Sequence, residues 1–131
     1  MSQGTGDRRS ELGRVRGLGS AKEGVQHWWV QRATAVALVP LSVWFLASLL
    51  CLIGGSRAEL VAWLASPFSA GLMILFLLAT FWHALLGLQV VIEDYVHHEG
   101  RKLASLLAVK GLIFLLAAAS VVAVLKLTLQ G

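Results

Sequence analysis

The chain has 131 residues and a formal net charge of +4, and 57% of its residues are hydrophobic while only 14% are charged. Soluble domains carry about 25% charged residues, so this balance excludes an ordinary soluble protein and indicates a membrane protein of one domain. A chain of this length has room for three spans of about 20 residues plus short ends, but not for a water-soluble catalytic domain as well. Any elaborate chemistry must therefore be shared with partner chains. The single cysteine, Cys51, excludes a disulfide framework or a cysteine metal cluster within the chain.

Residues 1–31 are polar, glycine-rich and basic. They lack the short apolar core of a secretory signal, and their acidic residues argue against an organelle transit peptide, so a bacterial inner membrane fits best. Residues 17–24 predict an irregular, turn-rich approach to the bilayer. In the following His27-Trp28-Trp29, the tryptophans are expected to anchor the headgroup region, an interpretation favoured over direct contact with a cofactor.

Three charge-poor runs predict transmembrane helices and an all-α membrane protein. The predicted spans are about residues 33–53, 68–91 and 103–125. Pro40 is expected to kink the first span modestly, and the residues before Pro67 are expected to form an interfacial segment with Trp63 as an anchor. Within the third span, the Lys110 stem is expected to snorkel toward the preceding loop; a functional role is the weaker alternative.

Basic residues predict the orientation of the chain. The N-terminal segment and the loop with Arg101 and Lys102 share one side, whereas the loop between the first two spans has only Arg57. The positive-inside tendency assigns the shared side, including the N-terminus, to the cytoplasm and the C-terminus to the periplasm. His83 is then expected inside the bilayer toward its cytoplasmic half, with Asp94 and the adjacent tyrosine at the cytoplasmic surface.

The second span contains the strongest candidate site. His83 interrupts an apolar run that ends on Asp94 and Tyr95. With a helical advance of about 100° per residue, Asp94 lies about 20° around the axis from His83 and about 16 Å further along it. Gly87, one turn after His83, leaves room for a flat, bulky group to approach the helix backbone. The alternative, a histidine hydrogen-bonded between packed helices beside a packing notch, is equally compatible with the spacing.

A neutral imidazole in a low-dielectric site is a good axial ligand for haem iron if its other ring nitrogen has a hydrogen-bond partner. The other histidines, His27, His97 and His98, are expected at the cytoplasmic edge, so a second ligand for a haem at the depth of His83 must come from another chain. Arg32, where the first span begins, is a candidate partner for a haem propionate. An anchor touching lipid phosphate is its equally plausible alternative.

Three segments together resemble the hydrophobic membrane anchor of bacterial succinate dehydrogenase of the alphaproteobacterial type. They are Arg14–Gly24 (RVRGLGSAKEG), His27–Ala35 (HWWVQRATA) and His83–His97 with the pattern His-x3-Gly-x6-Asp-Tyr, and the resemblance covers about residues 12–128. It implies three helices packed in a bundle with a cytochrome b subunit. It also implies that His83 is one axial ligand of a b-type haem shared with that subunit, that Tyr95 hydrogen-bonds ubiquinone beside the iron-sulfur subunit, and that Asp94 supports the quinone site.

The implied function is to pass electrons from succinate oxidation, carried out by the flavoprotein and iron-sulfur subunits, to ubiquinone in the respiratory chain and the tricarboxylic acid cycle. No complete active site is expected within this chain. A haem-free anchor that only recruits soluble subunits is the alternative, and without the resemblance Tyr95 is a plain interfacial aromatic. A transporter is disfavoured because the spans carry few convergent polar groups and no inverted repeat.

Overall fold

The computed structural model describes the backbone of residues 22–131 and side chains from residue 24 onward. Within this range the chain forms four helices: α1 (Lys22–Leu52), α2 (Arg57–Ala65), α3 (Pro67–Tyr95) and α4 (Glu99–Thr128). The three long helices, α1, α3 and α4, are apolar and long enough to cross a membrane. The predicted all-α class with three membrane-spanning helices is therefore confirmed.

The long helices extend beyond the predicted spans. The first begins at Lys22 rather than near residue 33, so the expected irregular approach is wrong for residues 22–24, while residues 17–21 lie outside the described range. The helix α3 continues to Tyr95 instead of ending near residue 91. Hydropathy marks only the apolar part of a helix, and 31 residues extend about 46 Å, well beyond a hydrocarbon core of about 30 Å. The polar ends remain helical because they contain no proline to interrupt the backbone hydrogen bonds of the helix.

The turn between α1 and α3 contains a helix where an interfacial segment was expected. Gly54 has φ +80°, a left-handed conformation that suits a glycine just after a helix end. The short helix α2 starts with a capping box, in which the Ser56 hydroxyl accepts from the Glu59 backbone N–H at 3.3 Å and the Glu59 carboxylate accepts from the Ser56 N–H at 2.6 Å. It ends before Pro67, because the residue preceding a proline disfavours helical backbone, and Ser66 is accordingly extended (ψ 126°).

The helix α3 is the centre of the arrangement. It packs against α1 on one side and α4 on the other, and the short α2 rests on the ends of α3 and α4. Few apolar side chains are buried by these contacts: Leu64, Ala70, Leu85, Leu86, Ile113 and Val124. Large apolar side chains such as Val36 and Leu115 remain 72% and 70% exposed. Such faces suit lipid or a membrane-embedded partner, since helices in lipid gain little from burying apolar surface against one another.

Two stacked aromatic pairs connect α1 to α3 and to α2, at the end of the bundle where α2 lies. Phe45 stacks on Phe76 of α3 with ring centroids 4.8 Å apart. Trp44 stacks on Trp63 of α2 with ring centroids 5.6 Å apart. Trp63, which was predicted to be an interface anchor, therefore contacts a neighbouring helix. Such pairs add about 0.5–1.5 kcal/mol each beyond the area that they bury.

Candidate functional site

His83 lies on α3 and is half-buried against α1. Its ring nitrogen Nδ1 is 3.0 Å from the hydroxyl oxygen of Thr34, a residue of α1 that is 49 positions away in the sequence. Among the described residues, Nδ1 is the ring nitrogen that makes a hydrogen bond. The sequence predicted that a ligand histidine needs such a partner, and the antiparallel packing of α1 and α3 supplies it.

Thr34 lies in the segment His27–Ala35 that carries the family resemblance, but the sequence alone assigns it no role. Its hydroxyl oxygen lies 3.0 Å from the Val30 carbonyl oxygen and 2.9 Å from that of Gln31, both in the preceding turn of α1. Threonine often bonds back to its own helix in this way, so the residue alone gives no functional signal. The predicted spans do not pair the two residues, because Thr34 lies one residue after the start of the first span and His83 lies eight residues before the end of the second.

The α3 surface one turn beyond His83 is open. A Cβ placed on Gly87 would meet no atom within 4 Å, once the backbone of its own helix is left aside. The neighbouring Leu85 and Leu86 are buried within the bundle, so the open strip is confined to one side of α3. The described side chains therefore leave the backbone at Gly87 uncovered to at least the size of a methyl group.

A groove of about 240 Å³ lies between α1 and α3 on the N-terminal side of Thr34. Its lining residues are Gln26, His27, Val30, Trp82 and Leu86. The Nε2 atom of His27 is buried and has no hydrogen-bond partner among residues 24–131. A buried polar atom without a partner is costly, by about 1–3 kcal/mol, so it marks a position where a polar group from outside the described chain would be accommodated.

Arg32 lies on another side of α1. Arg32 precedes Thr34 by two positions, which places it about 160° around the helix axis from the side that meets His83. Its guanidinium carbon is 5.3 Å from the centroid of the Trp28 ring, a cation–π geometry. Trp28 in turn meets Trp29 edge to face at 5.1 Å, and both rings are exposed, as interfacial side chains are.

Asp94 and Tyr95 are the last two residues of α3 and share one continuous helix with His83. Both are exposed, Tyr95 to 79%. His83 and Tyr95 are therefore not brought into one pocket, and they occupy two depths of the same helix about 18 Å apart along its axis. The predicted edge histidines His97 and His98 lie just beyond α3, in the exposed link to α4.

The described side chains contain no group of three or more His, Cys, Asp or Glu residues that would hold a metal ion. The arrangement offers instead one imidazole within a span, a helix surface open beside it, and a phenol at the helix end. These features fit a chain that contributes single groups to a shared site rather than a complete one.

Comparison with known proteins identifies the family. A family model described as the succinate dehydrogenase/fumarate reductase transmembrane subunit matches residues 6–125. The chain belongs to this family. A succinate dehydrogenase hydrophobic membrane anchor subunit from Rickettsia bellii is 36% identical over 92% of this chain and 96% of its own length. The similarly named subunit from Paracoccus denitrificans is 38% identical over 71% of this chain and 72% of its own length.

A third relative, the succinate dehydrogenase membrane anchor subunit of Reclinomonas americana, is 32% identical over 68% of this chain. No solved structure matches the chain. The predicted resemblance is thus confirmed, and the chain is a multi-pass member of the succinate dehydrogenase membrane anchor subunits. The relatives are named as subunits of succinate dehydrogenase, an enzyme complex.

Proposed function

We propose that this chain anchors succinate:ubiquinone oxidoreductase in the bacterial inner membrane, holds one side of a b-type haem through His83 and contributes Tyr95 to the ubiquinone site. The observation that carries the proposal is the hydrogen bond between His83 Nδ1 and Thr34, which leaves Nε2 as the ring nitrogen available to iron. Family membership supports the anchor role, and the local geometry supports the haem role.

Two features of the chain fit a haem. The uncovered backbone at Gly87, one turn from His83, is compatible with the close approach of a flat macrocycle. The buried Nε2 of His27, which has no hydrogen-bond partner within the described residues, lies in the groove toward the N-terminal end of α1. This position suits a polar substituent such as a propionate. A haem bound here would supply one-electron transfer, while this chain supplies one ligand and its hydrogen-bond partner.

The second axial ligand is assigned to the cytochrome b subunit. A low-spin haem with two imidazole ligands needs a second histidine at the depth of His83, whereas His97 and His98 lie beyond the end of α3. Arg32 is the proposed partner of a propionate, since a guanidinium fork matches a carboxylate; to take this role it would leave its position over Trp28.

Tyr95 is the proposed hydrogen-bond donor to a ubiquinone carbonyl oxygen. Its phenol is exposed at the end of α3. In this proposal, a quinone bound at the membrane surface would there meet both water and the electron-carrying iron-sulfur subunit. A donated hydrogen bond strengthens as negative charge develops on the quinone oxygen, so it favours reduction. The neighbouring Asp94 is proposed to support this site by orienting groups around the quinone.

This assignment implies an orientation, with the N-terminus and the α3–α4 link in the cytoplasm and the C-terminus in the periplasm. The basic pair Arg101 and Lys102 follows that link, as the positive-inside tendency requires. The iron-sulfur and flavoprotein subunits are then proposed to dock on the cytoplasmic side, near Tyr95.

The testing experiment is a reduced-minus-oxidised visible spectrum of the complex purified with this chain. We expect the absorption bands of a low-spin b-type haem, together with succinate-dependent reduction of ubiquinone. The isolated chain is expected to bind haem poorly, and co-expression with the cytochrome b subunit is expected to restore binding. An assembled, quinone-reducing complex without haem absorption would favour the alternative, a haem-free anchor.

A further inference from the structure

Several hydroxyl groups of the long helices bond back to their own helix, and Thr34 makes one contact more than the others. Within the described residues, the hydroxyls of Ser48, Thr80, Ser120 and Thr128 each donate to the carbonyl oxygen four residues earlier, at 2.7–2.9 Å. Thr34 makes the same contact with Val30 but also reaches a ring nitrogen of another helix, His83 Nδ1. It is the one hydroxyl among these five that connects two spans.

Proton counting determines the direction of this hydrogen bond. The Thr34 oxygen has three neighbours at 2.9–3.0 Å, of which two are carbonyl oxygens and one is His83 Nδ1, but it carries a single proton. If that proton pointed at Nδ1, the hydroxyl lone pairs would face two carbonyl oxygens with no hydrogen between them. If the hydroxyl proton is instead shared between the two carbonyl oxygens, a lone pair of the hydroxyl oxygen faces the ring. Every contact is then attractive, provided that Nδ1 carries the ring proton of the neutral imidazole.

We infer that Thr34 is a positioning residue that accepts a hydrogen bond from His83 Nδ1–H and so holds the imidazole in the tautomer with a bare Nε2. A neutral histidine has one protonated nitrogen, and its partner selects which one. A bare Nε2 is the form that a metal requires, and an acceptor on the other nitrogen makes the ring a stronger electron donor. The identity of the metal as haem iron rests on the proposed function.

The test is Thr34→Val in the assembled complex, because valine keeps the branched shape and removes the acceptor. We expect haem affinity to fall about 10- to 100-fold, measured by haem transfer to excess apomyoglobin, as is typical when the partner of a ligand histidine is lost. We also expect the haem midpoint potential to rise, because the ring donates less to the ferric iron. Thr34→Ser, which retains the hydroxyl, is expected to restore both values.

Thr80→Val is the matched control, since the Thr80 hydroxyl bonds only within α3 among the described residues and should leave both values unchanged. Thr34→Ala is the second variant, and potentials are titrated in membranes so that purification is not required. A normal potential and affinity in Thr34→Val and Thr34→Ala, with His83→Leu losing the low-spin spectrum, would overturn the inference and leave the proposed function intact.

Two further outcomes are informative. Loss of assembly in both Thr34→Val and Thr34→Ala, but not in Thr34→Ser, would show that the hydroxyl serves to hold α1 to α3, and would also overturn the inference. A normal low-spin spectrum in His83→Leu would instead refute the proposed function, because the ring itself would then be dispensable for haem binding.

Discussion

The seam between α1 and α3 has two levels that are built differently. Toward the α2 end, Phe45 and Phe76 stack at 4.8 Å, and the contact is complete within the chain. Toward the other end, the two helices are joined by a hydrogen bond of 3.0 Å between Thr34 and His83. It lies near Gly87, where an added Cβ would meet no described atom within 4 Å outside its own helix backbone. We refer to these as the aromatic level and the imidazole level.

The contrast separates helix packing from function. An apolar contact between spans needs only shape, and the aromatic level supplies it. A polar side chain inside a span is expensive, and the proposed haem ligation would account for one at the imidazole level. The groove next to it contains the buried Nε2 atom of His27, for which the described part of the chain provides no hydrogen-bond partner.

The largest expected effect comes from making the imidazole level apolar. His83→Leu should abolish the low-spin b-type spectrum or convert it to high-spin, because the iron loses one of two ligands while the helix stays apolar. Absorption and electron paramagnetic resonance spectra of the assembled complex measure this. His98→Leu, at an exposed position outside the spans, is the control and should retain the wild-type spectrum.

Next in size is the effect at the end of α3. Tyr95→Phe should lower succinate-to-ubiquinone turnover about 10- to 150-fold, corresponding to the loss of a hydrogen bond worth about 1.5–3 kcal/mol to a charged acceptor. Succinate-to-dye turnover should stay near the wild-type rate, since a soluble acceptor bypasses the membrane site. Equal quinone turnover in wild type and variant would remove Tyr95 from the quinone site and would confine the function of α3 to the imidazole level.

A smaller effect is expected from breaking the aromatic level. Phe45→Leu removes the stack on Phe76 and should lower the stability of the complex by about 0.5–1.5 kcal/mol, seen as a lower Tm, with the haem spectrum unchanged. Phe114→Leu, on an exposed face of α4, is the control and should leave Tm unaltered. A changed haem spectrum in Phe45→Leu would show that the two levels are coupled.

The smallest effect concerns the capping box of α2. Ser56→Ala should cost about 1 kcal/mol of helix stability, because the Glu59 backbone N–H loses its side-chain acceptor. Ser56→Asp should recover most of this loss. Hydrogen exchange in α2 is the suitable measurement, and exchange as slow in the alanine variant as in wild type would contradict the assigned role of the cap.

The spans were predictable from the sequence because each is a long charge-free run, and the depth of His83 follows from its place in the second run. The polar helix ends were not predictable, because hydropathy gives no information on backbone conformation outside the bilayer. The first helix therefore starts at Lys22, earlier than expected, and the helix α3 ends at Tyr95, later than expected. The sequence predicts that the His83 ring needs a hydrogen-bond partner, but it does not identify that partner as Thr34. Its identity depends on how α1 and α3 align in space, and a threonine that bonds to its own helix carries no sign of that alignment.

The most direct test of the account uses His83→Ala in the assembled complex, with free imidazole added. Without imidazole we expect haem that is absent or high-spin, because alanine leaves a ring-sized space in place of the ligand. Added imidazole should enter that space and restore a low-spin spectrum, whereas His98→Ala should show no response. A normal low-spin spectrum in His83→Ala before imidazole is added would contradict the claim that this chain supplies a haem ligand.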